Sequence, residues 1–278
     1  RRTPPRRISR SKRKTMKKTI KKKIAVRRAR RLSVLFAGEQ VSAIGHEIKG
    51  FDSFEASANK EDGVALFEAL KSGGHDVVWM RTNQVAVEFP ERLADLRKFD
   101  VVILSDVGAN TLLFHPEMLA KSIPHPNRLK LIRDYVRAGG GLIMVGGWMS
   151  FSGIGGKAKY YGTPVEETLP VNCLTYDDRE ERPEGVTPTI LAAGHPILNS
   201  LPAKWPYFLG YNRVLPKPDA TVVLAFESDP LLSVWSYGKG RSAAFSTDCA
   251  PHWGPAAWLA WPGYRPFWGN LVSWIGST

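Results

Sequence analysis

Residues 139–150 read Gly139-Gly140-Gly141-Leu142-Ile143-Met144-Val145-Gly146-Gly147-Trp148-Met149-Ser150, and this stretch decides the fold. Four consecutive apolar residues bounded by glycines are too short for a buried helix and have the length of a buried strand. The glycine pair that follows lets the backbone bend sharply and brings its N–H groups close to a ligand. Upstream, Arg128 to Arg137 places Leu129, Ile132 and Val136 on one helical face, and Gly139-Gly140-Gly141 stops that helix. Further out, Asp100 to Asp106 is apolar on both faces, as a central parallel strand is.

The same alternation extends to both ends. Leu32–Ala37 and His75–Met80 read as strands, Asp62–Lys71 as a helix stopped by Gly73-Gly74, and a short helix starts at Pro90 and runs through Leu96. A βαβαβαβ order with short connections predicts a parallel sheet with helices on both faces. After a Gly- and Pro-rich stretch over 151–218, expected as an insertion over the cleft, Thr221–Phe226, Leu231–Tyr237 and Arg241–Thr247 read as strands. Gly238-Lys239-Gly240 makes the last pair an antiparallel hairpin, and Tyr264–Ile275 closes the chain as a helix with Phe267, Leu271, Trp274 and Ile275 on one stripe. The expectation is a basic tail over 1–31 and one α/β domain over 32–278.

The net charge of +13 is uneven, because residues 1–31 hold 17 Lys and Arg and no acid. The remaining residues carry a net −4, so only the tail could bind nucleic acid or an anionic lipid surface, and a charge run without base-reading or membrane-inserting residues reads first as a plain extension. That tail has too few apolar residues to offset the entropy of ordering, and reads as a disordered extension, part of it translated upstream of a natural start at Met16. No apolar run reaches the ~18 residues of a membrane span, and no secretory h-region follows the charges. Two cysteines, Cys173 and Cys249, are too few for a disulfide framework, and a reducing cytoplasm is the expected compartment.

Ligands of open parallel sheets bind outside the carboxyl ends of the strands. That rule selects Glu39 after the first strand, Asp106 and Asn110 after the third, and Gly146, Gly147 and Trp148 after the fourth. Asp248, His252 and Trp253 follow the last strand, and His46 lies downstream of Glu39. The turn has neither the G-x-G-x-x-G spacing of a dinucleotide fingerprint nor the Gly-Lys-Ser/Thr of a P-loop, and no cofactor is expected. No H-x-x-x-H or H-x-E motif fixes two metal ligands on one element. Glu39, His46, Asp106, Asp248 and His252 could form a mixed nitrogen and oxygen site, but carboxylates at strand ends more often hold polar ligands, so no metal is expected. Trp258 and Trp261 are core if buried and stack on sugar faces or form a homo-oligomer interface if exposed, Trp268 and Trp274 belong to the core or such an interface by their helical register, and Trp148 and Trp253 border the cleft.

The run Gly139–Gly153 resembles the signature of the putative glutamine amidotransferase-like family, a group with the class I glutamine amidotransferase-like fold. Support comes from His46-Glu47-Ile48-Lys49-Gly50-Phe51-Asp52, Leu104-Ser105-Asp106, Thr163-Pro164-Val165 with Leu169-Pro170-Val171, and Asp248-Cys249-Ala250-Pro251-His252-Trp253-Gly254. The hairpin ending in Gly240-Arg241-Ser242-Ala243-Ala244-Phe245 also resembles trehalose-utilisation-like proteins. The resemblance implies a flavodoxin-like three-layer sandwich with a nucleophile elbow after the fourth strand. In working amidotransferases a cysteine stands in that elbow, and a His and a Glu follow the last strand.

Here the elbow holds Gly147, Trp148, Met149 and Ser150 and no cysteine, so glutamine hydrolysis is not expected. The leading reading is a domain that binds a small polar molecule related to carbohydrate. The alternative is a hydrolase or lyase with His252 as base and Asp248 or Glu39 orienting it, and Ser150 is the candidate to replace cysteine as nucleophile. Ser150 could equally cap its own turn. Cys249 reads as a buried small apolar residue.

Overall fold

The computed structural model describes residues 30–277. The expectation of a disordered tail over residues 1–31 falls, save for its last two residues, outside them. Fourteen strands lie among the described residues. The first half carries β1 (Ser33–Gly38), β2 (Gln40–Lys49), β3 (Asp52–Glu61), β4 (Asp76–Met80), β5 (Val101–Ser105) and β6 (Gly141–Val145). The segment after the glycine turn adds β7 (Val171–Asn172), β8 (Arg179–Val186), β9 (Thr189–Ile190), β10 (Phe208–Asn212) and β11 (Leu215–Pro216). The last three are β12 (Thr221–Phe226), β13 (Asp229–Tyr237) and β14 (Gly240–Phe245).

Eight of these form one sheet in the order β4-β1-β5-β6-β14-β13-β12-β9. From β4 to β14 neighbours run parallel, and from β14 outward they run antiparallel. Alternate residues of each central strand feed different cores, as the two-residue period demands. Val34 and Phe36 of β1 join Ile143 and Val145 beneath the helices Val64–Ser72 and Tyr264–Ile275. Leu35 and Ala37 join Leu142 and Met144 on the other face, beneath the helix Arg128–Arg137. The result is the expected three-layer α/β sandwich with a C-terminal antiparallel hairpin.

The C-terminal tryptophans differ in burial. Trp258 and Trp268 are fully buried, ringed by Trp205, Phe245 and Phe267, and Trp274 is half-buried against Arg241.

Two regions differ from the sequence reading. A helix spans Thr82–Glu88 ahead of Pro90, with Gln84 accepting the Arg81 amide at 3.0 Å, and the next helix begins only at Leu93. Residues 40–61, given no element from sequence, are two ten-residue strands that pair only with each other. Both faces of that hairpin meet solvent, so it carries no alternation of polar and apolar residues to read.

One buried cation organises the corner beside β5. Arg128 is 1 % exposed, and its guanidinium donates to the carbonyls of Val85, Ala86, Thr111, Leu112 and Phe114 at 2.6–3.3 Å. These oxygens belong to the ends of the helices Thr82–Glu88 and Ala109–Leu113, which have no further turn to accept from. An Arg128→Met chain keeps the volume and leaves the carbonyls unpaired. It should lose about 3–5 kcal/mol of stability in urea denaturation, and a loss below about 1 kcal/mol would show that water replaces the clamp.

Candidate functional site

The order β4-β1-β5 means that the chain leaves β1 first to one side and then to the other, which opens a crevice at the carboxyl ends of β1 and β5. Backbone packing there is too close for side chains. A Cβ on Gly38 would stand 1.7 Å from the Ser105 carbonyl oxygen, and one on Gly147 would stand 2.7 Å from Asp106 Oδ1. Gly146 donates its N–H to the carbonyls of both Phe245 and Thr247, which ties the end of β6 to the end of β14. Glu39, Asp106 and His252 all have positive φ (58°, 45° and 148°), a conformation that costs about 1–3 kcal/mol at such residues and concentrates at functional sites.

These turns surround a cavity of about 250 Å³. Glu39, Asp106 and Asp248 come from the ends of β1, β5 and β14, with Trp148 and His252 beside them. The root of the β2–β3 hairpin adds Val41 and Lys60, and Asp62 and Pro251 complete the wall. Lys60 Nζ lies 2.8 Å from Asp62. Trp148 is 41 % exposed, stands edge-on to His252 at 4.8 Å, and carries the Arg179 guanidinium 5.3 Å from its ring centre.

Burial governs the electrostatics. The Glu39 carboxyl is pushed up to about 8 by burial and then by the charge of Asp106, despite hydrogen bonds from Ser105 Oγ at 2.5 Å and from Cys249 Sγ at 3.6 Å. Asp248 is raised well above the carboxylate range by burial and by Glu39 and Asp106, and Asp106 is raised mainly by burial. Burial lowers His252 below the usual histidine value, so its ring is neutral at neutral pH. The Cys249 thiol is pushed well up by burial and by Glu39 and Asp248, which keeps it protonated and unreactive as a nucleophile.

The remaining sequence candidates lie outside the cavity wall. Ser150 is buried, and its Oγ accepts the Asp106 amide at 3.1 Å, an arrangement that fastens the turn to β5. Trp253 is fully buried beneath His252 and donates Nε1–H to Glu181. Asn110 is exposed on the helix after β5. His46, grouped with the strand-edge residues from sequence, instead faces Glu55 across the exposed β2–β3 hairpin, because 22 residues between Glu39 and Asp62 leave the sheet altogether.

Two residues missed from sequence hold the turn from behind. Asn212 accepts the Gly147 amide at 3.0 Å and donates to the Gly147 carbonyl and to Asp178. Asp178 in turn accepts the amides of Ser152 and Gly153. Both come from the 151–218 segment, so that segment builds the support of the turn through β8 and β10. Nothing local in sequence marks Asn212, which lies 65 residues from its partner.

For metals, Glu39, Asp248 and Cys249 bring one donor atom each within 4.8 Å of one another. A second group, Glu91, His115 and His125, sits at another corner. Its imidazoles stack at 3.9 Å and 16°, and nearly parallel rings cannot both direct an in-plane lone pair at one ion.

The buried carboxyls set a pH dependence. Between the ordinary glutamate value of 4.5 and the folded value of about 8, the native chain holds a proton on Glu39 that the unfolded chain has lost. Stability therefore falls as pH rises through that window, by at most about 1.4 kcal/mol per pH unit for this group. Thermal unfolding at pH 5, 7 and 9 should show a falling midpoint, with a shallower fall in Glu39→Gln. Equal slopes for the two proteins would contradict the assignment.

Comparison with known proteins bears on the whole domain. The sequence profile described as "Putative glutamine amidotransferase" matches residues 33–277. The cytoplasmic protein STM3548 from Salmonella typhimurium superposes with a TM-score of 0.85 at 41 % identity, covering 88 % of this chain and 99 % of its own. The cytoplasmic protein STM1381 from Salmonella typhimurium LT2 superposes at 0.84 and 38 % identity, with the same coverage of both chains. No curated protein gives a match. The chain belongs to the putative glutamine amidotransferase family.

Proposed function

We propose that the cavity binds a small neutral polyhydroxy compound, a monosaccharide or a close derivative, and that the chain does not hydrolyse glutamine. The observation that carries this reading is a cavity walled by four carboxyl groups and one exposed indole. Carboxyl groups at this density, Glu39 among them still holding its proton at neutral pH, offer paired donors and acceptors to neighbouring hydroxyls. An indole face suits the apolar side of a sugar ring. A volume of about 250 Å³ lies just below the range of drug-sized pockets, which fits one ring better than two. Glutamine hydrolysis by the family's usual route needs a thiolate. The turn supplies no cysteine, and Cys249 is a buried, protonated thiol. The relatives' description as cytoplasmic proteins supports a cytoplasmic location, and no helix among the described residues is long and apolar enough to cross a membrane.

A second reading is hydrolysis or elimination on such a ligand. It is favoured by the placing of His252 and Glu39 on the same wall, where burial favours the neutral ring of one and the protonated carboxyl of the other. His252 would take a proton and Glu39 would give one, so the rate would fall below the lowered histidine value and above about 8.

Titration of the purified chain with monosaccharides and polyols, followed by tryptophan fluorescence, should saturate for at least one compound. Trp148→Ala should then weaken that binding by about tenfold or more, and a flat response across the panel rejects the reading. Incubation with glutamine should release no ammonia above the blank. A rate that Cys249→Ala or Ser150→Ala removes would restore the amidotransferase activity. For the second reading, a panel of glycosides, esters and amides is assayed with wild type and His252→Ala, where equal rates exclude His252 as base.

A further inference from the structure

The hairpin Gln40–Glu61 leaves the body as an arm about 33 Å long, from ten residues per strand at ~3.4 Å each. Its root is tied down, with the Gln40 amide on Thr82 Oγ1 at 3.2 Å and Arg81 on Glu61 at 3.1 Å. Beyond the root, β2 and β3 pair with no other strand among the described residues. A two-stranded hairpin alone in water is marginal at best. Yet this one is regular from end to end, without a register shift, and turns through Gly50 at φ +67° as a two-residue hairpin loop requires. It also exposes Ile44 (77 %), Ile48 (72 %) and Phe51 (109 %), and both edges lack the prolines and bulges that usually block strand pairing.

We propose that this arm is the interface with a second copy of the chain. Pairing and alternation put Val41, Ala43, Gly45 and Glu47 on one face with Lys60, Ala58, Ala56 and Phe54. The middle of that face is a flat strip of small residues, over which another backbone can approach closely. Two such faces laid antiparallel about a twofold axis superpose strip on strip. The root pair Val41 and Lys60 then meets Glu47 and Phe54 of the second copy, which gives opposite charges and apolar contact twice over.

Area points to the same occupant. One face of a ribbon this long is on the order of 330 Å², well short of the ~800 Å² per partner that stable association needs. Covering both faces and the Phe51 tip approaches that figure, which an exchange of arms between two bodies provides. A hairpin with no fold of its own also needs a cover that is always present, and a second copy is. Because Val41 and Lys60 line the cavity, the exchange would place Phe54 of the second copy at its rim.

Sedimentation and light scattering on the full chain should give a dimer at micromolar concentration. Ala56→Arg, on the exposed strip, should raise the dissociation constant at least a hundredfold. Replacing residues 44–57 by Asn-Gly, which keeps Val41 and Lys60, should give a monomer with an unchanged near-ultraviolet spectrum. Hydrogen exchange should protect the cross-strand amides of β2 and β3 in the wild type and release them in Ala56→Arg. A monomeric wild type overturns the proposal. So does a dimer that survives both changes, or one lost on removing residues 1–29 alone.

Discussion

The site rests on the absence of a methyl group at three places. Gly38, Gly146 and Gly147 sit where a Cβ would come within 3 Å of the Ser105 carbonyl, the Ser246 carbonyl and the Asp106 carboxylate. This contact lets the ends of β1, β5, β6 and β14 close on one another. Once closed, they aim three acidic side chains at a single space. Larger residues at these positions would part the strands, and the carboxyl groups would regain water and their ordinary acidity.

Enclosure of the acids also settles what the thiol can do. In an amidotransferase elbow the surroundings favour a sulfur anion, through an imidazolium and backbone N–H groups. Around Cys249, burial and then the acidic neighbours Glu39 and Asp248 hold the proton on sulfur. The same fold therefore presents opposite electrostatics at its strand ends. The family's fold is retained here, with buried carboxyl groups gathered at its strand ends.

The central strands were legible because burial on both faces leaves an unbroken apolar run, as in Val101–Leu104 and Leu142–Val145. The strand-end rule then located Glu39, Asp106, Trp148, Asp248 and His252, all of which meet in the cavity. It failed for Asn110, which lies exposed on the helix after β5, and the grouping of His46 with Glu39 failed because proximity along the chain says nothing once a hairpin intervenes. It also overvalued Trp253, whose neighbour His252 takes the cavity position while the indole turns inward to Glu181. The exposed arm left no pattern because neither face is apolar throughout. Asn212 and Asp178 were illegible for a different reason: their partners are set by tertiary folding alone.

The backbone at His252 carries a further meaning. At φ 148° a glycine would rest without strain, whereas an imidazole there is held against a preference of about 1–3 kcal/mol. The next residue, Trp253, is locked from below, so the twist cannot relax by sliding the loop. The molecule thus keeps a sprung ring at the mouth of its cavity, and a ligand that draws the ring into a gentler conformation would recover part of that strain as affinity.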